Sequence, residues 1–274
     1  MSGILYIVGT PIGNLGDLSP RAAKTLEEVD FIAAEDTRVT LKLLNRFGIK
    51  KPLVSYFEHN KRERGEVITQ RILAGESCAL VTDAGMPAIS DPGEDLAALC
   101  HEKGIQIIAV PGPTAFATAL ALSGLPTGRF CFEGFLSVSN KSRAAHLQSI
   151  KTERRTLIFY EAPHKLARTL ADLYATLGNR RLAIVREITK LHEQVIRTDL
   201  QTAADAYADG HLKGEIVLVI EGDTAVEEPS TLEEALALAA EYIAQGLSTN
   251  EAAKLAAKQT KIKKSDIYKK LTEN

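Results

Sequence analysis

The chain contains no tryptophan, only three cysteines and no sustained excess of charge of either sign. Each shortage excludes something. Cys78, Cys100 and Cys131 stand alone, form no CxxC pair and are odd in number. A disulfide framework or structural zinc site is therefore not expected, and no metal at all is expected; a reducing cytoplasm is. No apolar run approaches 18 residues, so no membrane span is expected. The start, Met1-Ser2-Gly3-Ile4-Leu5-Tyr6, lacks the basic region and cleavage site of a secretory signal. Several motifs are missing too. Gly9, Gly13 and Gly16 do not spell the dinucleotide fingerprint, and no P-loop, HExxH or GxSxG occurs. Lys plus Arg is 33 and Asp plus Glu is 35, a formal charge of −2 in 274 residues. That total argues against a strongly basic nucleic-acid binder.

What is present is a folded α/β chain. Hydrophobic residues are 45%, enough for a sizeable core. In the first half, short β-branched runs alternate with helical stretches. Strands are expected at 4–8, 31–34, 53–56, 79–81 and 107–110. Ser19-Pro20 opens a helix with Ser at the N-cap and Pro at its first position. Gly48 stands where a helix ends. Continuous apolar strands between helices imply a parallel sheet covered on both faces. Gly124-Leu125-Pro126-Thr127-Gly128 then breaks the rhythm. Strands follow at 130–135, 156–161, 182–188, 193–198 and 215–221, with helices between the first three and the last three as antiparallel neighbours. We therefore divide the chain into a parallel-sheet domain (1–124), a mixed-sheet domain (125–222) and a third segment (223–274). The third holds an acidic linker, Glu227-Glu228-Pro229, and two or three short Ala-rich helices.

Ligands of a parallel sheet gather at the C-terminal ends of its strands. All five ends of the first domain carry polar or loop-forming clusters: 8–15, 34–38, 58–60, 82–93 and 110–115. Pro-rich turns without a phosphate cradle suit a cationic or neutral ligand better than a polyanion. These clusters also carry a resemblance. Val8-Gly9-Thr10-Pro11-Ile12-Gly13-Asn14-Leu15-Gly16-Asp17-Leu18-Ser19-Pro20-Arg21-Ala22 resembles the amino-terminal signature of the ribosomal RNA small subunit methyltransferase I family, a branch of the tetrapyrrole methylases. Further blocks follow in order over nearly the whole chain: Ala34-Glu35-Asp36-Thr37-Arg38, His59-Asn60, the 82–93 loop, Val110-Pro111-Gly112-Pro113, Phe132-Glu133-Gly134-Phe135-Leu136, Phe159-Tyr160-Glu161-Ala162-Pro163-His164, Arg186-Glu187-Ile188-Thr189-Lys190 and Lys213-Gly214-Glu215. Thr82 where Ser is common, and Ser137 where Pro is common, are small departures.

The resemblance implies two α/β domains of the tetrapyrrole methylase type plus a small C-terminal helical appendage. It implies S-adenosylmethionine in the cleft between the domains. The reaction would methylate the ribose 2′-hydroxyl of a cytidine in the decoding centre of 16S rRNA, on free rRNA or the small subunit, by a cytoplasmic homodimer. The donor would contact Pro11, Asp83, Ala84, Gly85, Pro87, Ile89, Val110, Pro111, Gly112 and Ala115, with Glu215 from the second domain. Two other readings compete: a small-molecule methyltransferase of the same fold, and a non-catalytic ribosome-binding factor.

A ribose hydroxyl is a weak nucleophile, and a nearby base helps as the new bond forms. Glu35, Asp36, His59 and Glu161 are the candidates, and sequence does not choose among them. His59 could equally serve the helix starting at Asn60, and Glu35 and Asp36 could be helix caps. Asn14 could meet the acceptor or form an Asx-turn. Positive charge for RNA is local. Arg38 and Asn60 lie at strand ends, and Lys141 and Arg143 open a basic stretch. Residues 250–274 hold seven Lys against three acids. There Lys261, Lys263 and Lys264 fall between two short helices, the first opened by a Ser248/Glu251 capping box. This resembles a helix-turn-helix module able to grip phosphates. No interleaved aromatic surface is visible, so base stacking is not expected.

Overall fold

The computed structural model describes residues 2–210, 212–224 and 231–272. The acidic linker at 227–229 lies outside them. The chain divides into two compact units, with the boundary between Asp223 and Thr224.

In the first unit, five strands form a parallel sheet: β1 (Ile4–Val8), β2 (Phe31–Ala34), β3 (Leu53–Ser55), β4 (Cys78–Val81) and β5 (Gln106–Val110). Their order is β3-β2-β4-β1-β5. Helices α1 (Pro20–Glu28), α2 (Thr37–Arg46), α3 (Lys61–Leu73) and α4 (Gly93–Glu102) make the crossovers. β2 and β4 are buried at every position because helices cover both faces, which is why they read as unbroken apolar runs. Ser19 caps α1 by accepting from the Ala22 N–H, with Pro20 at the first position. The neighbours β4 and β1 form a switch point. The connection from β1 departs toward β2, whereas that from β4 departs toward β5. A crevice therefore opens between β1 and β4 at their C-terminal ends.

Helix α5 (Ala115–Ser123) follows β5 and packs on a second sheet. That sheet contains β6 (Phe130–Phe135), β7 (Thr156–Glu161), β8 (Arg181–Arg186), β9 (Gln194–Asp199) and β10 (Ile216–Ile220). Its order is β6-β7-β10-β8-β9. β6 and β7 are parallel; the other pairs are antiparallel. Helices α6 (Asn140–Ser149) and α7 (Leu166–Leu177) cover one face, with Leu157, Phe159, Leu170 and Leu218 in that core. The sequence reading omitted α8 (Leu200–Ala206), a seven-residue helix between β9 and β10. It is too short to show a period of 3.6, and its signature is the Asp199 cap, which accepts from Thr202 N–H.

The second unit contains α9 (Leu232–Ala244), α10 (Thr249–Thr260) and α11 (Lys264–Thr272). Its core is mostly alanine: Ala235, Ala239, Ala252, Ala253 and Ala256, with Ile267. Capping boxes open α9 (Thr231/Glu234) and α10 (Ser248/Glu251). Lys261 ends α10 in a left-handed conformation (φ 59°), and Lys261, Lys263 and Lys264 are exposed in the turn before and at the start of α11.

Candidate active site

The switch point is held together by backbone. Thr10 N–H donates to Gly85 O (2.9 Å) and Gly85 N–H donates back to Thr10 O (3.2 Å). The loops after β1 and β5 touch more closely still. A methyl group on Gly9 would sit 2.7 Å from the Gly112 backbone. Only glycine allows this approach, so both positions are fixed by space. In the 82–93 loop, Asp91 accepts N–H bonds from Ala88 (3.0 Å), Ile89 (3.2 Å) and Gly93 (2.7 Å). That knot holds Ala88 (φ 65°) and Ser90 (φ 63°) in left-handed backbone. Two strained non-glycine residues in one loop are a common mark of a functional site.

These loops form one wall of a cavity of about 410 Å³, within the usual range for small-molecule sites. The opposite wall comes from the C-terminal ends of β6 and β7 and the start of β10: Phe135, Tyr160, Glu161, Ala162, Pro163, Glu215, Ile216 and Val217. Antiparallel register brings the last of these into place, with Ile216 opposite Glu161 and Val217 opposite Tyr160. The lining is largely apolar. Among the described residues its charged members are Glu35, Asp91, Glu161 and Glu215, with no Lys, Arg or His. Four carboxylates in a partly enclosed space favour a cation and repel a phosphate.

The carboxylates are positioned differently. Glu35 Oε2 accepts from Thr82 Oγ1 at 2.6 Å. Glu161 is buried; its Oε1 accepts from Ala162 N–H (2.8 Å) and its Oε2 from the Thr169 hydroxyl. Thr169 Oγ1 in turn accepts from Arg143 Nη2 (2.8 Å), and Arg143 Nε donates to Asp172 (2.6 Å). Glu215 Oε2 meets Lys190 Nζ at 3.0 Å, and Glu187 meets the same ammonium at 3.1 Å. Burial works against the charge on Lys190. The two glutamates outweigh it and hold its pKa above the ordinary lysine value.

Of the four expected bases, Glu35 and Glu161 line the cavity; Asp36 and His59 do not. Asp36 caps α2 through Arg38 N–H (2.8 Å) and grips the Arg38 guanidinium with both oxygens. Those bonds hold its carboxyl at about 2, so it is a poor proton acceptor. His59 is exposed, with its ring edge-on to Phe57. Asn60 stitches its own loop, accepting from Phe57 N–H (2.8 Å) and donating to Ser55 O (3.2 Å).

Of the expected donor contacts, Ala84, Gly85, Ile89, Ala115 and Glu215 line the cavity. Pro11, Asp83, Pro87, Val110, Pro111 and Gly112 lie outside the lining and shape the loops behind it. Asp83 accepts from Asp36 N–H (3.1 Å); burial, and then the nearby Glu35, raise its carboxyl above the ordinary range. Asn14 closes an Asx-turn on Gly16 N–H (2.9 Å). Arg38 and Lys141 are exposed. Arg143, expected at the RNA, is instead inside the protein at 5% exposure, bonded to Thr169 and Asp172. Sequence reasoning missed Phe135 and Tyr160 as site residues. The same rule that found the first wall, the C-terminal ends of parallel strands, applies to β6 and β7 as well.

Comparison with known proteins agrees with this architecture. The model of the family "Tetrapyrrole (Corrin/Porphyrin) Methylases" matches residues 4–204. A protein of Synechocystis sp. named ribosomal RNA small subunit methyltransferase I is 50% identical over 97% of this chain and 96% of its own. One of the same name from Thermotoga maritima is 47% identical over 80% of this chain and 99% of its own. Among solved structures, uroporphyrin-III C-methyltransferase from Thermus thermophilus, complexed with S-adenyl homocysteine, has a TM-score of 0.56 at 19% identity, covering 80% of this chain and 97% of that one. The chain belongs to the tetrapyrrole methylases and, within them, to the family of ribosomal RNA small subunit methyltransferase I.

Proposed function

We propose that this protein is an S-adenosylmethionine-dependent methyltransferase of small-subunit ribosomal RNA. Its acceptor in this reading is the 2′-hydroxyl of a cytidine in the decoding centre of 16S rRNA. One observation carries the donor assignment: among the described residues, the lining of the cavity at the switch point has four carboxylates and no Lys, Arg or His. Such a site suits a ligand bearing a sulfonium and an ammonium. The acceptor assignment rests on membership of a family whose relatives carry the rRNA methyltransferase name over nearly their full length.

When bound, S-adenosylmethionine supplies a methyl group on a positively charged sulfur, and that charge is lost as the methyl leaves. Ala84, Gly85, Ile89 and Ala115 would hold the donor against the first sheet. Glu215, steadied by Lys190, would hold it from the second. Positioning is the larger part of the work, because reacting atoms must be aligned within about 3–3.5 Å. In this reading Glu35 or Glu161, the two candidate bases that line the cavity, takes the hydroxyl proton as the new C–O bond forms. Arg38, Lys141, Lys261, Lys263 and Lys264 are the exposed cations assigned to RNA phosphates. We further assign a cytoplasmic homodimer, on the family resemblance and the isolated cysteines.

The test is a methyl-transfer assay with radiolabelled donor, offering small ribosomal subunits, bare 16S rRNA and a precorrin side by side. Label is expected in the rRNA, on a cytidine ribose. Label in the precorrin alone would reverse the acceptor assignment, and no transfer to any acceptor would favour a ribosome-binding factor.

A further inference from the structure

In a regular strand, Phe132 and Phe135 would face opposite sides of the sheet. In β6 they do not. Phe132 pairs with Ile158 of β7, Gly134 with Phe159 and Phe135 with Tyr160, so Glu133 is an extra residue. The bulge depends on Gly134, whose φ of +62° costs a glycine little. It returns Phe135 to the face shared by Phe132 and Tyr160. The Phe132 and Phe135 ring centres lie 4.9 and 5.5 Å from the Tyr160 ring. The bulge also lies against the 82–93 loop: a methyl group on Gly134 would lie 3.1 Å from Ser90 Oγ. Ser90 is itself one of the left-handed residues of the 82–93 loop.

Two irregular backbone segments thus meet beside one aromatic ring. That ring lines the cavity, yet it is 56% exposed. Packing does not account for it, since an apolar ring gains little stability while more than half in water. An aromatic wall residue more than half exposed is placed for a flat group arriving from outside. An RNA nucleotide that offers its ribose hydroxyl to a cavity must first leave its own stack, losing stacking that an aromatic side chain can replace.

Building on the proposed rRNA acceptor, we propose that Phe135 is the stacking platform for the base of the methylated nucleotide, holding it at the cavity mouth while its ribose enters. Every base has a π-face, so the ring supplies affinity and orientation and leaves base identity to other groups. The sequence shows no interleaved aromatic surface, and on that ground stacking is not expected from it; the bulge gathers Phe132, Phe135 and Tyr160 on one face.

The experiment compares wild type, Phe135→Ala, Phe135→Leu and Phe135→Tyr. It measures KM for the rRNA substrate and calorimetric Kd for S-adenosylhomocysteine, with thermal unfolding to confirm folding. The Ala and Leu variants are expected to raise the RNA KM on the order of tenfold or more, with unchanged S-adenosylhomocysteine affinity; Tyr restores wild-type behaviour. Rescue by Leu would show an apolar packing role and overturn the proposal. Weakened S-adenosylhomocysteine binding with unchanged RNA KM would assign the ring to the donor and overturn it as well. Wild-type protein that labels no RNA would refute the rRNA reading itself, and this inference with it; wild-type labelling with an unaffected Phe135→Ala would refute this inference alone.

Discussion

Arg143 and Lys141 stand two residues apart at the start of α6, and the sequence treats them alike; the structure separates them. Replacing Arg143 with Met keeps the apolar stem and removes the guanidinium. Two hydrogen bonds are lost, to Asp172 at 2.6 Å and to Thr169 at 2.8 Å. Bonds to charged groups contribute roughly 1.5–3 kcal/mol each. The Asp172 carboxyl is 35% exposed and also lies 3.6 Å from Arg168, so water and that second cation soften its loss. A net cost of about 2–4 kcal/mol follows from the lower part of that range. For a domain of this size each kcal/mol lowers Tm by roughly 2–4 °C, so Arg143→Met should unfold roughly 4–16 °C below wild type. Exposed Lys141→Met should stay within about 0.5 kcal/mol. Thermal unfolding followed by circular dichroism measures both. An Arg143→Met transition within a degree of wild type, or an equal loss in Lys141→Met, would refute the buried chain from Asp172 to Glu161.

Gly9→Ala places a methyl 2.7 Å from the Gly112 backbone and must push the two loops apart; a cost of about 1–3 kcal/mol and weakened S-adenosylhomocysteine binding are expected, and an unchanged Tm and Kd would contradict the close contact. The Asp36 carboxyl is held at about 2, below its unfolded value near 3.8, so its contribution is complete above pH 4 and is lost as pH falls toward 2. Asp36→Asn keeps a capping side chain, so its stability deficit should shrink over that window; a deficit constant from pH 6 to pH 2 would exclude the Arg38 pairing as its source. Neutralising Lys261, Lys263 and Lys264 together should reduce the salt dependence of subunit binding by a log–log slope of roughly 2, and an unchanged slope would remove these lysines from the RNA interface.

Much of this was legible in the chain because buried parallel strands leave a local signature. All five strands of the first sheet read directly as apolar runs, and their polar ends marked the cavity wall at Ala84, Gly85 and Ile89. Other features depend on context that a linear reading does not supply. Glu35 and Asp36 are adjacent, yet one meets the cavity and the other an arginine, which only the start of α2 decides. Arg143 looked like surface charge, although it shares a helical face with Leu147 and Ile150, both buried. That spacing of four and seven was available and would have placed it inside. Phe135 was hidden by the bulge; its sequence signals were its place at the end of a strand and the isolated Gly134 within that strand.

The central claim is that the acidic cavity between the two sheets binds the methyl donor. Calorimetric titration with S-adenosylhomocysteine of wild type and of Ala84→Leu tests it most directly. Ala84 lines the cavity but is exposed, so the larger side chain fills the site without entering a core. The expected result is one ligand per chain for wild type and an affinity at least roughly tenfold weaker, with unchanged Tm, for the variant. Equal affinity in the two proteins, or no binding by wild type at high micromolar ligand, would contradict the account.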